Sequence, residues 1–281
     1  MAFKRTAIEE TLAASPLLVL DGSMSTPLEN MGVGLNTKLW TARALADCPE
    51  KIKQVHKNYL KAGADCGITC SYQATIPGLM GIGYTKEQAE ELVDFYQKPV
   101  DYINEQLKQV TDRKKVYWEY GNDYSTCIPG TSNDGWHNMI LMAGGINIFG
   151  DASLAGKDID PEQILTEDPD LIVKIYAGKN VIGNSGVFTA PPQEEFAEKA
   201  EEMLERPGWQ DLKAVKEGNF YINTAFMSGG LGKMIGAAYM AKWLYPDLMT
   251  DLDPDAIFTQ WMKYQGFEPN APHYYHVPAQ G

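Results

Sequence analysis

Thiols, imidazoles and carboxylates bound the chemistry open to this chain. Its cysteines stand at 48, 66, 70 and 127, with no Cys-x-x-Cys and no adjacent pair. Disulfide frameworks and tetrahedral zinc sites both need thiols clustered at short intervals, so the spacing predicts neither. Cys66 and Cys70 share a face if DCGITC is a strand. Two thiols without further ligands make a poor metal centre, and packing is their expected role. Of the four histidines only His273 and His276 are close together, in a tail of Pro and Tyr residues that reads as a surface loop. SGGLGKMIG and the glycine-rich stretch 178–186 lack the G-x4-G-K-S/T spacing of a phosphate loop. Asp21-Gly22, closing the apolar run 17–20, reads by itself as a strand-end turn. No metal and no cofactor is expected.

The composition narrows the partners. At 281 residues the length suits one large or two ordinary domains. A net charge of −13 leaves no basic cluster to neutralise phosphates, which argues against nucleic acid and against an anionic membrane surface. No apolar run approaches the ~18 residues of a spanning helix, so no membrane insertion is expected. The opening MAFKRTAIEETLAASP has no apolar signal-peptide core, and the chain as it stands is expected in the cytoplasm.

The elements that must position any site can be read from periodicity. Over 87–111, Ala89, Leu92, Val93, Tyr96, Val100, Ile103, Leu107 and Val110 recur at helical spacing. Acidic residues open this stretch and Lys108 stands near its end, as the helix dipole favours. Pro99 removes one backbone donor and predicts a kink near Phe95. Thr85 and Gln88 form a capping box ahead of it. Upstream, the order is strand 17–20, amphipathic helix 49–62 (Ile52, Val55, His56, Tyr59 and Leu60 on one stripe), strand 65–72 and a glycine-rich loop 77–83. Downstream, strands at 115–120, 171–176 and 220–223 alternate with helices at 133–143, 193–205, 232–245 and 255–264, and Asp160-Pro161 opens a short helix. Alternating strands and helices predict parallel, doubly wound α/β structure.

LDGSMSTPLENMG, LNTKLWTARAL and VHKNYLKAGADCGITCSYQAT resemble the start of homocysteine S-methyltransferases, closest to the branch that uses S-methylmethionine. The resemblance covers about residues 12–93. It implies a fragment of a (β/α)₈ barrel, with active-site groups at the C-terminal ends of strands. By that resemblance Asp21 would sit beside the homocysteine amino group, with Ser71, Tyr72 and Gln73 at the mouth of the second strand. The family's zinc is held by three cysteines, two of them adjacent, and lowers the thiol pKa of homocysteine. This chain has no adjacent cysteine pair, so the homocysteine end of a site is expected as a vestige without its metal.

KVYWEY, GTSNDGWHNMILMAGGINIFGD, IDPEQILTEDPDLIV and RPGWQDLKAVKEGNFYIN resemble the C-terminal lobe of the substrate-binding proteins of ABC importers for iron–siderophore complexes, haem and cobalamin. VDFYQKPVDYINEQL is similar to the long helix joining the two lobes of that family. The resemblance implies binding, in an extracytoplasmic parent, of a metal chelate or macrocycle. Ligands of open α/β sheets sit beyond the carboxyl ends of the strands. Loops 121–132, 177–192 and 224–230 qualify, and Tyr124, Ser125, Tyr176, Phe188, Phe226 and Met227, with Trp136 nearby, would pack on a bulky ligand.

The expected architecture is therefore α/β with parallel βα units throughout: a partial (β/α) barrel fragment at 1–90, a long connecting helix at 91–114, and a doubly wound three-layer lobe at 115–281. A junction inside a helix, near Glu90 to Phe95, points to a recombined or engineered chain. The expected function is weak solute binding, because half the cleft is missing. The alternatives are homocysteine methyl transfer and an inert scaffold. The apolar face of the first ninety residues should be covered by the second lobe or by pairing between chains as a homodimer.

Overall fold

A computed structural model describes residues 17–71, 74–131, 134–179, 185–228, 231–269 and 271–280. The chain divides into two compact units, 1–94 and 95–281.

The first unit is helical where it is regular: α1 (Ser25–Asn30), α2 (Arg43–Asp47), α3 (Pro49–Lys61) and α4 (Ile76–Met80). Pro49 occupies the first turn of α3, where its missing N–H costs nothing, and Glu50 faces the positive end of the dipole. Ile52 and Val55 of α3 close a small core with Leu28, Leu35, Ala44 and Cys70. Tyr59 donates to the Ser23 carbonyl at 3.0 Å. Its ring leaves no room for a side chain at position 22, where a Cβ would lie 2.7 Å away.

Two expectations are corrected here. Among the described residues, segments 17–20 and 65–71 do not form laddered strands but meet at one parallel bridge, Leu20 with Cys66. A parallel pair needs further strands beside it to be stable, and this unit supplies none among its described residues. Part of the expected loop 77–83 is α4, which Thr75 caps by accepting from the Gly78 N–H at 3.2 Å.

Helix α5 (Lys86–Gln106) carries the chain across the division between the units, passes through Pro99, and ends in a 3-10 turn at Leu107–Gln109. Its capping box is formed: the Thr85 N–H donates to Gln88 Oε1 at 2.9 Å, and the Gln88 N–H to Thr85 Oγ1 at 3.1 Å.

The second unit follows as β1 (Lys115–Glu119), α6 (Asp134–Met142), β2 (Ile146–Asn147), α7 (Pro161–Glu167), β3 (Leu171–Ile175), α8 (Ser185–Phe188), α9 (Gln193–Leu204), α10 (Lys213–Lys216), β4 (Phe220–Asn223), α11 (Gly232–Leu244), α12 (Pro254–Tyr264) and β5 (Tyr274–Val277). The sheet order is β2-β1-β3-β4-β5, parallel except for β5, which runs antiparallel to β4. This is a mixed α/β fold. Strand β5 corrects the reading of the His273–His276 tail as a surface loop: YYHV alternates well enough to pair with β4, and His273 is buried.

Period-two alternation divides the core between the sheet's faces. Val116, Trp118, Leu171 and Val173 meet Met139 of α6 and α11, which is buried nearly all round. Tyr117, Ile172, Phe220 and Ile222 meet Phe196, Ala200 and Met203 of α9, with Trp209. Asp160 caps α7 by accepting from the Glu162 N–H at 2.9 Å. Among the described residues, no helix is long and apolar enough to cross a membrane.

Candidate ligand-binding face

The carboxyl ends of β1 and β3 are joined by a buried ionic network. In the parallel register Glu119 lies opposite Lys174, and each is a charged residue that follows an apolar run, VYW in β1 and LIV in β3. Their side chains are 0% and 1% exposed. Lys174 Nζ donates to Glu119 Oε1 at 2.7 Å and to the Gly121 carbonyl at 2.9 Å. Arg206, just beyond α9, grips the same carboxylate in bidentate fashion at 2.8 and 3.1 Å. The Tyr117 hydroxyl donates to Glu119 Oε2 at 2.7 Å, and the Tyr124 N–H donates to it at 3.0 Å. Every acceptor site of the carboxylate is filled, as a buried charge requires.

Two cations around one buried anion leave an excess positive charge. Asp123 balances it, accepting from Arg206 Nη2 at 2.6 Å. Burial pushes the Glu119 carboxyl up, but hydrogen bonds from Arg206 and the nearby Lys174 outweigh it and hold the pKa below the usual carboxylate range. Burial lowers the pKa of Lys174, with Glu119 opposing. Burial, with Glu119 adding to it, raises that of Tyr117.

The network fixes the loop that follows β1. Tyr124 has φ +59°, a left-handed conformation that a residue with a Cβ rarely adopts. It is held there by its N–H bond to Glu119 and by the Arg206 guanidinium, 4.6 Å from its ring centroid. Ser125 closes the same turn, its carbonyl accepting from the Tyr120 N–H at 3.0 Å. Thr126 Oγ1 donates to the Trp118 carbonyl at 2.6 Å. Loop 121–126 is thus built onto the sheet rather than hung from it.

Trp136, in the first turn of α6, ties the first loop region to the third. Its indole N–H donates to the Met227 carbonyl at 3.2 Å, and its ring lies 4.4 Å from that of Tyr120. Tyr176 is half-buried beside Phe196 and Glu195. Phe188 is half-buried too, stacked on Phe267 at 4.4 Å and near Trp261. Phe226 and Met227 are corrected: at 2% and 0% exposure they belong to the core, Phe226 packing on Phe258 and Tyr239. None of the seven ligand-contacting residues expected from the sequence lines either of the two cavities described for this unit. One, of about 530 Å³, runs along β2 past Lys115, His137, Asn147 and Asp151. The other, of about 310 Å³, lies between α11, α12 and the start of β5.

In the first unit, Asp21 Oδ1 accepts from the Ile68 N–H at 3.0 Å. Oδ2 lies 3.3 Å from His56 Nδ1, and the carboxylate is 2% exposed. His56 escaped the sequence reading as a site residue because it falls on the helix stripe with Ile52 and Val55. Ser71 is exposed and bonds Thr69 at 3.2 Å. Tyr72 and Gln73 lie outside the described residues. The zinc of methyltransferases does not fit this chain: Cys70 is buried with its thiol pushed up by desolvation, and no group of three His, Cys, Asp or Glu among the described residues could hold a metal ion.

Comparison with known proteins separates the two parts. A homocysteine S-methyltransferase family model matches residues 18–140, further than the 12–93 expected. A periplasmic binding protein family model matches residues 82–225. Homocysteine S-methyltransferase YbgG of Bacillus subtilis is 48% identical over 87 residues, 31% of this chain and 28% of the relative. Homocysteine S-methyltransferase 1 of Zea mays is 30% identical over 235 residues, 78% of this chain and 66% of the relative. The chain thus spans between about a quarter and two thirds of the length of these methyltransferases. A TroA-like periplasmic binding protein, FepB from Veillonella parvula, superposes with a TM-score of 0.57 at 22% identity, covering 83% of this chain and 70% of that one. The two family matches overlap over residues 82–140, around α5. The chain belongs to the periplasmic binding protein family and is a chimera, its N-terminal part similar to homocysteine S-methyltransferases.

Proposed function

We propose that residues 95–281 act as a solute-binding lobe of an ABC-type importer, taking a bulky iron–siderophore, haem or cobalamin-like ligand, in an extracytoplasmic parent. The observation that supports this most is the carboxyl edge of the sheet: a charge-balanced buried network holds Tyr124 in a strained conformation, and Trp136 and Tyr176 are half-buried. Strain of this kind persists where surrounding structure over-determines it, as at ligand clamps. One lobe supplies one wall of a cleft. Pockets bury ~70–90% of a small ligand, so losing a wall costs several kcal/mol, and each ~1.4 kcal/mol is a tenfold loss of affinity. Binding in the high-micromolar range or weaker is expected. Titrating tryptophan fluorescence with haemin and ferric siderophores tests this, and the Trp136→Phe variant should lose most of the quenching. Tight binding of a small hydrophilic solute, or no response to any chelate, would sink the reading. The second outcome would leave an inert scaffold.

A second reading, methyl transfer to homocysteine, is favoured by the buried Asp21 carboxylate in the methyltransferase-like segment. Without the adjacent cysteines that hold zinc, no turnover is expected. An assay for methionine from S-methylmethionine and homocysteine, run with metal analysis, decides it: stoichiometric zinc with turnover would reverse this view.

A further inference from the structure

The 310 Å³ cavity of the second unit carries polar groups that the carboxyl-edge loops do not use. It is lined by Tyr239 of α11, Asp255, Phe258 and Thr259 of α12, and His273 and Tyr274 at the start of β5. His273 is 3% exposed. Its Nδ1 meets Thr224 Oγ1 at 3.0 Å, while Nε2 is buried without a hydrogen-bond partner. Buried ring nitrogens are ordinarily satisfied, so an orphan on a cavity-lining residue points to a group that is meant to arrive from outside. Burial pushes the imidazole pKa down to about 4, so the ring is neutral near pH 7.

The rest of the lining gives the sign and shape of that group. Asp255 is the one charged residue among the lining positions. It is exposed, and its Oδ1 accepts from the Tyr239 hydroxyl at 2.6 Å. Phe258 packs on the His273 ring with centroids 4.7 Å apart, and Tyr239 and Tyr274 lie 5.3 Å apart. A carboxylate at the rim, π faces along the walls and a neutral imidazole among the lining side chains form the surroundings that favour a cation with an apolar body.

We propose that this cavity binds a small organic amine, its ammonium at Asp255, its body against Phe258, Tyr239 and Tyr274, and a hydroxyl at His273 Nε2. The site does not rest on the chelate-binding reading, since none of the loop residues assigned to that reading lines it.

Isothermal titration of the full chain with tyramine tests it, alongside phenethylamine, which lacks the hydroxyl, and 4-hydroxyphenylacetate, which replaces the ammonium with a carboxylate. Saturable one-to-one binding of tyramine is expected, several-fold weaker for phenethylamine and undetectable for the acid. Asp255→Asn keeps an acceptor for Tyr239 and should weaken tyramine at least tenfold with the melting temperature little changed. His273→Phe should remove the preference for tyramine over phenethylamine. No tyramine binding, equal binding of the acid, or undiminished binding by a folded Asp255→Asn protein overturns the proposal. If His273→Phe fails to fold, the three-ligand series and Asp255→Asn still decide.

Discussion

The two units were written in one sequence language and came out differently. Both alternate extended apolar runs with amphipathic helices. In the second unit β1, β3 and β4 each find a neighbour on both sides, and the sheet buries residues on both faces. In the first, the two extended runs meet at one bridge, and Leu17, Val19, Leu20 and Ile68 stay exposed. An extended run becomes a strand when enough others pair with it. A methyltransferase-like beginning carries too few of them to close a sheet, however well each one scores on its own.

The difference should be largest in the response to losing a buried charge. Glu119→Gln leaves Lys174 and Arg206 buried around a neutral group, and breaking such a network costs ~3–5 kcal/mol. Urea unfolding of the second unit should show that loss. Asp21→Asn, which disturbs the corresponding buried carboxylate of the first unit, should leave the second unit's midpoint unchanged. Equal effects of both substitutions would mean that the two units do not unfold separately.

A smaller effect separates them by pH. His273 has a folded pKa of about 4, against an ordinary value of 6.5. The unfolded chain therefore binds a proton that the folded one refuses, and stability falls as pH drops from 6.5 towards 4. The contribution at stake is about 2–4 kcal/mol. Glu119, held below the ordinary carboxylate range, adds a further loss that begins as pH falls below the unfolded value of 4.5 and continues through its depressed pKa. Melting curves at pH 7 and 5 should show the decline in the second unit, and His273→Gln should flatten it. An unchanged slope in that variant would remove His273 from the account.

What could be read from the sequence was local. The Thr85–Gln88 box, the Asp160-Pro161 start and the β1, β3 and β4 strands depend on neighbours within a few residues. Strand β5 was missed because its YYHV run sits among prolines, and only pairing with β4, about fifty residues earlier in the chain, makes it a strand. The ionic network joins residues 55 and 87 positions apart in sequence. A signal for it did exist: a single charge near the end of each apolar run, in KVYWEY and LIVKIY. Phe226 and Met227 were misplaced because a loop position after a strand does not say which way its side chains turn.

Hydrogen exchange by mass spectrometry, with and without haemin, tests the central claim most directly. The amides of β1, β3 and β4 should exchange orders of magnitude more slowly than those of 17–71. Haemin should slow exchange at 121–126 and 176–179 while leaving 17–71 unchanged. Equal protection of 17–71 and β3, or haemin protection confined to 17–71, would contradict the account.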